Sequence, residues 1–148
     1  MKKEKGELKM KKIFIKLCAL IMLITMILSI NVWADDFERG TGTVRVEKNC
    51  IMTLAKSGIK RSVNYSYVMV KANSVYPVLN GVVDDYVKCR TKICAEGKDI
   101  SDVMVLTEGV LRELHIYEGS LSNNKYDLYF SGNHKDLAAY IAYYYNGK

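Results

Sequence analysis

Leu137-Ala138-Ala139-Tyr140-Ile141-Ala142-Tyr143-Tyr144-Tyr145 is the stretch on which the fold class turns. Its three alanines favour a helix, while four tyrosines and an isoleucine favour a pleated, half-buried surface. We read a strand near Ala138 to Tyr145, because the rest of the chain speaks the same way. Apolar residues recur with period two, and Val, Ile, Thr and Tyr are abundant between turn signals.

Working back from that segment, Ser131 to Asp136 reads as a loop and Tyr126 to Phe130 as a strand behind an Asn123-Asn124 turn. Val103 to Leu106 and Val110 to Tyr117 flank Thr107-Glu108-Gly109 and read as a hairpin. Asp85 to Ala95 is extended, with a turn at Glu96-Gly97-Lys98. Asn80-Gly81 is the strongest hairpin signal, because both residues tolerate the positive φ of a type I′ turn. Pro77 should put its strand at a sheet edge, and Ser62 to Ala72 reads as a long strand whose mixed phase implies a bulge or a two-sided environment. Ser57-Gly58 reads as a turn; before it, Thr43 to Glu47 alternates, and Cys50, Met52 and Leu54 continue one face.

Short strands broken by turns every 8 to 12 residues or so predict an all-β fold, a single antiparallel β-sandwich, immunoglobulin-like or jelly-roll-like. The expected core holds Val44, Val46, Met52, Leu54, Val87, Ile93, Val105, Leu114, Leu128 and Ile141.

Residues 1–34 read as a signal peptide. Lysines 2, 3, 5, 9, 11, 12 and 16 form a basic head, Leu17 to Ile30 an uncharged apolar run, and Val32-Trp33-Ala34 a cleavage site. Cleavage after Ala34 leaves residues 35–148 as one domain of common size, with Asp35 to Gly42 as a flexible lead-in. The run falls short of the ~20 residues of a comfortable membrane span, so no stable span is expected once the signal is cut; an uncleaved anchor is the alternative. Met10 offers a second start codon. Cys18 lacks the small residue a lipid-anchor site wants before its cysteine.

The chain carries 22 basic and 16 acidic residues, a net charge of +6. Seven lysines and two glutamates belong to the leader, so residues 35–148 hold 15 basic and 14 acidic groups. Nucleic acid is therefore not an expected partner, since the basic excess that would attract it leaves with the signal.

Three cysteines remain. Across Lys88 to Cys94, alternation puts Val87, Cys89, Thr91 and Ile93 on one face and Lys88, Arg90, Lys92 and Cys94 on the other, so Cys89 and Cys94 cannot bridge each other. Cys50 and Cys89 are both candidates for the interior. A bridge between them would close a loop of about 40 residues and stabilise by roughly 4 kcal/mol on a chain-entropy argument; two buried free thiols are the alternative. Cys94 is expected to be a free thiol whose cationic neighbours favour the thiolate. The same cationic row could touch anionic wall polymers, or simply be a solvated face that discourages edge pairing.

Tyr140, Tyr143, Tyr144 and Tyr145 could stack sugar rings, or serve as strand residues whose hydroxyls reach water. His115 and His134 lack metal-ligand spacing, and Asp84-Asp85 and Asp99 with Asp102 lack an ordered calcium loop. There is no phosphate loop, nucleophile elbow or other motif for a cofactor or a catalytic residue. The expectation is a secreted or cell-envelope binding module whose partner is a cell-wall polymer, a glycan or a surface protein. The alternatives are a secreted toxin or bacteriocin-like effector acting at a cell surface and, more remotely, a small secreted hydrolase using His115 or His134.

Overall fold

The computed structural model describes residues 36–78 and 87–148. The signal peptide with its cleavage site, and the readings at Asn80-Gly81 and Asp84-Asp85, lie outside the described residues.

Within these residues the protein is all-β. The strands are β1 (Arg39–Val46), β2 (Thr53–Lys60), β3 (Tyr67–Pro77), β4 (Lys88–Ala95), β5 (Lys98–Asp99), β6 (Met104–Thr107), β7 (Leu111–His115), β8 (Lys125–Gly132) and β9 (Ala139–Asn146). A single 3-10 turn, Glu118–Ser120, interrupts them. The alanine- and tyrosine-rich stretch is strand β9, as its aromatic content implied.

Two antiparallel sheets form. One has the order β1-β9-β3-β7; the other has the order β2-β8-β4, with β5 and β6 both pairing along the far edge of β4. The inward side chains of both sheets make one core that includes Val46, Val70, Ile93, Leu106, Leu114, Leu128, Phe130 and Ile141. The arrangement is consistent with a β-sandwich.

Six expected core residues are buried: Val44, Val46, Ile93, Leu114, Leu128 and Ile141. Met52 is half-buried, and Leu54, Val87 and Val105 are exposed. The β2 misses have one cause. Asn49 (φ 66) and Cys50 (φ 55) form a left-handed turn, which resets the phase before Thr53. Ser57-Gly58 is not a turn but lies inside β2, where register shifts against β8 mark an irregular ladder. Gly58 supplies a φ of 66, and its NH donates to the Asp127 carboxylate at 2.8 Å. Val105 is opposite Arg90 on the outer face of its sheet, whereas its neighbour Leu106, opposite Cys89, is the residue turned into the core, so the alternation is real and the inward face is the other one.

Three other expectations change. The segment around Ser62 is loop, and the strand runs later, with its bulge between Ala72 and Ser74. Pro77 does not mark an edge strand: β3 is flanked by β9 and β7, and Pro77 is tolerated at the last residue, beyond the reach of β7. Thr107-Glu108-Gly109 turns the chain without making a hairpin. The Glu108 NH bonds the Val87 carbonyl at 2.7 Å and the Gly109 NH bonds the Ala72 carbonyl at 2.8 Å, so the backbone passes from one sheet to the other between neighbouring residues.

The supposed lead-in is also structured, since Arg39 to Gly42 belong to β1. Its glycines face tyrosines, with Gly40 opposite Tyr145 and Gly42 opposite Tyr143 on β9. A Cβ at Gly40 would lie 2.7 Å from the Tyr145 hydroxyl. These glycines therefore leave room for two rings turned into the core.

Candidate functional site

Partners across an antiparallel pair share a face, so the register defines the outer surface of the β1-β9-β3-β7 sheet. One row is Arg45, Tyr140 and Tyr76; the next is Thr43, Ala142 and Ser74; the third is Thr41, Tyr144, Lys71 and Leu111. Successive rows are about 6.7 Å apart. Two rows that carry aromatic rings thus flank a row of small side chains, which makes a shallow trough.

Tyr76 and Tyr140 stack, with ring centroids 5.5 Å apart and planes 28° from parallel. Tyr76 is 46% exposed, so the pair is open to solvent on the side away from the sheet. Arg45 stands across from Tyr140 and lies 3.5 Å from Glu47, both side chains being half exposed. Chemically the surface offers flat amphipathic faces, the hydroxyls of Thr41, Thr43 and Ser74, and the cations Arg45 and Lys71. That combination suits the apolar face and polar rim of a sugar ring.

Of the four tyrosines expected as ligand contacts, two are on this surface and two are not. Tyr140 and Tyr144 point outward and are half-buried, while Tyr143 (3% exposed) and Tyr145 (4%) are core. The Tyr143 ring packs on Phe130 with centroids 5.0 Å apart, and its hydroxyl donates to the Ala55 carbonyl at 3.1 Å. The Tyr145 hydroxyl donates to Glu38 at 2.7 Å. That bond is the main reason the Glu38 carboxyl is held below its usual range, whereas burial, with Glu38 second, pushes the Tyr145 phenol up to about 12. Sequence reasoning missed Tyr76, Arg45 and Lys71, which join the surface only through the pairing of β3 and β1 with β9.

The cysteines differ from expectation. All three are free thiols, so the Cys50–Cys89 bridge is absent from the structure. Cys89 is buried in β4 as expected, but Cys50 sits half-buried in the left-handed turn rather than on an inward strand face. Cys94 does share the Lys92 face of β4, yet it is only 6% exposed. Its thiol donates to Asp99, opposite it on β5, at 3.1 Å, and the same carboxylate oxygen takes the Lys92 ammonium at 2.6 Å. Burial first, and the bond to Asp99 second, push the Cys94 thiol up to about 11 against the opposing pull of Lys92. The expected thiolate is therefore overturned: a desolvated thiol beside a carboxylate keeps its proton.

The remaining candidates are placed apart. His115 is on β7, 4.0 Å from Glu113 and in edge contact with the Tyr67 ring, whereas His134 is exposed in the loop between β8 and β9. Asp102 accepts the Tyr117 hydroxyl at 2.9 Å, and Asp99 is occupied as described. Among the described residues, no group of three or more His, Cys, Asp or Glu side chains could hold a metal ion. A groove of about 540 Å³ runs along the edge where the sheets end, lined by Met69, Met104, Val105, Leu111, Arg112, Glu113 and His115. It is mainly apolar, and the acid and base on its lining, Glu113 and His115, are 4.0 Å apart and at least half exposed to solvent.

Comparison with protein families, with curated proteins and with solved structures finds no match to this chain.

Proposed function

We propose that this chain is a secreted or cell-envelope binding module that holds a glycan or wall polymer against the outer face of its four-stranded sheet. The observation that carries the reading is the stacked, solvent-open pair Tyr76–Tyr140, set across from Arg45 and beside a trough of small residues. Large aromatic faces left outside a core that buries Tyr126, Tyr143 and Tyr145 are surface committed to contact rather than to packing. Export fits this role, with residues 1–34 as the signal and residues 35–148 as the working domain.

The finer fold assignment belongs with the function. Strand orders β1-β9-β3-β7 and β2-β8-β4-β6 interleave the first and last strands in both sheets, as two Greek keys do. That favours a jelly-roll-like sandwich over an immunoglobulin-like one.

The test is a binding screen of the protein on peptidoglycan, teichoic acid and neutral glycans. Tyr76→Ala and Tyr140→Ala should each weaken the interaction roughly tenfold, the scale of one lost aromatic contact of about 1.4 kcal/mol. Lys98→Ala, on the other sheet, serves as the control and should change nothing. Unaltered binding by both tyrosine variants, with circular dichroism showing intact folding, would remove the sheet face from consideration.

A further inference from the structure

The charges on the proposed binding face are segregated in a way the composition does not require. Residues 35–148 are almost balanced, with 15 basic and 14 acidic groups. Yet the three rows around the trough hold Arg45 and Lys71 and, among the described residues, no carboxylate. The nearest acids border those rows: Glu47, just past the end of β1, is 3.5 Å from Arg45 on the side away from the trough, and Glu113 opposes Met69 in the row beyond Lys71.

Arg45 and Lys71 also lie diagonally across the trough. Arg45 is on β1 beside the Tyr140 row, and Lys71 is on β3 beside Tyr144, two rows further on. With strands about 4.8 Å apart and rows about 6.7 Å apart, their backbone positions are roughly 16 Å from each other. Tyr140, Ala142 and Tyr144 on β9 fill the span between them. A ligand that follows this diagonal meets a cation, a ring face, a shallow bed, a second ring and a second cation. A neutral glycan would use the rings and leave Lys71 without a counter-charge and Arg45 with Glu47 alone, an exposed ion pair of the kind worth at most about 1 kcal/mol, which a ligand oxyanion can join or displace.

We propose that the occupant of this face is an extended anionic polymer of sugar or polyol units, whose charged groups meet Arg45 and Lys71 while its ring or polyol segments lie on Tyr76, Tyr140 and Tyr144. This rests on the binding reading above and adds the charge class of the ligand. Carboxylate and phosphate share the relevant chemistry, an oxyanion that accepts hydrogen bonds from a cation; Arg45 can bind either in a bidentate way.

The experiment compares three immobilised probes: polygalacturonate, a poly(glycerol phosphate) teichoic acid and a neutral glucan. The two polyanions separate the carboxylate source from the phosphate source. Binding of at least one polyanion, tighter than the neutral glucan, is expected. Two phosphate-type contacts at a slope of about −0.7 each predict a loss of roughly sevenfold between 50 and 200 mM salt. Arg45→Gln and Lys71→Gln should each remove about half of that slope, whereas Lys98→Gln, on β5 of the other sheet, should leave it unchanged. Equal binding of the neutral glucan without salt dependence would overturn the charge assignment while leaving the aromatic face in place. Polyanion binding that survives the Arg45→Gln/Lys71→Gln double variant but is lost on Lys88→Gln would overturn it too, by moving the contact to β4. Full binding by Tyr76→Ala and Tyr140→Ala is the separate result that defeats the underlying reading.

Discussion

Adding one methyl group at Gly42 tests whether Tyr143 is committed to the interior. Gly42 lies opposite Tyr143 in the β1–β9 ladder, and a Cβ there would sit 2.6 Å from the ring Cζ and 3.1 Å from Cε1. The ring cannot swing aside freely, since it is 3% exposed, packs on Phe130 and is tied through its hydroxyl to the Ala55 carbonyl. Overpacking of this kind costs about 1–3 kcal/mol. The lower strand entropy penalty of Ala relative to Gly returns about 0.5–1 kcal/mol. Gly42→Ala should therefore destabilise by about 1–2 kcal/mol, a fall of about 0.5–1 M in the urea midpoint.

The cause is isolated by a double-mutant cycle. Tyr143→Leu removes the obstructing ring atoms, so Gly42→Ala in that background should be neutral or mildly stabilising, with a coupling energy of about 1–2 kcal/mol. Strict additivity, or a stabilising Gly42→Ala in the parent protein, would refute the register and with it the assignment of Tyr143 to the core.

Two further outcomes concern the cysteines. Under native conditions Cys50, half-buried in its turn, should be alkylated well before Cys89 and Cys94, and mass mapping that finds Cys94 first would contradict its burial against Asp99. Stability should also fall on the alkaline side. Burial pushes the Cys89 thiol up to about 12, whereas an unfolded thiol titrates near 8.5. Below about pH 8.5 both states hold the proton and the full stability is present; above it the unfolded chain loses the proton first, so stability declines as pH rises towards 12, by at most about 1.4 kcal/mol per pH unit. Urea titrations of the parent and Cys89→Ala between pH 8 and 11 should show the shallower slope in the variant, and parallel curves would argue that Cys89 is not desolvated.

The legible part of this fold was the part governed by local chemistry. Period-two alternation located β1, β4, β8 and β9, and it placed Cys89, Thr91 and Ile93 on the buried face of β4. Alternation fails where one residue adopts an unexpected φ, because a single left-handed pair such as Asn49-Cys50 resets every later position, and nothing in Cys50 marks it for that role. Gly58 shows the converse. A glycine that can turn the chain can equally be a bulge inside a strand, and here the distant Asp127 carboxylate holds it there. The Thr107-Glu108-Gly109 segment has the residues of a turn, but a turn signal does not say whether the strands it joins share a sheet.

The candidate site was half legible for a related reason. A row of tyrosines can be read directly, but which of them face water depends on strand phase, and what lies beside them depends on register. Both are set by β1 and β3, which approach β9 from sequence distances of about 100 and 70 residues. Ala139, Ile141, Tyr143 and Tyr145 alternate with Tyr140, Ala142, Tyr144 and Asn146, so polarity alone hardly tells the faces apart. The decisive clue is in β1, where Gly40 and Gly42 alternate with Thr41, Thr43 and Arg45. Glycines that make room for rings identify the inward tyrosines, and the hydroxyl and guanidinium residues between them accompany the outward ones. A glycine pair that resembles a flexible lead-in is thus what turns Tyr143 and Tyr145 inward and leaves Tyr140 to pair with Tyr76. The binding face follows from where the core could accept a ring.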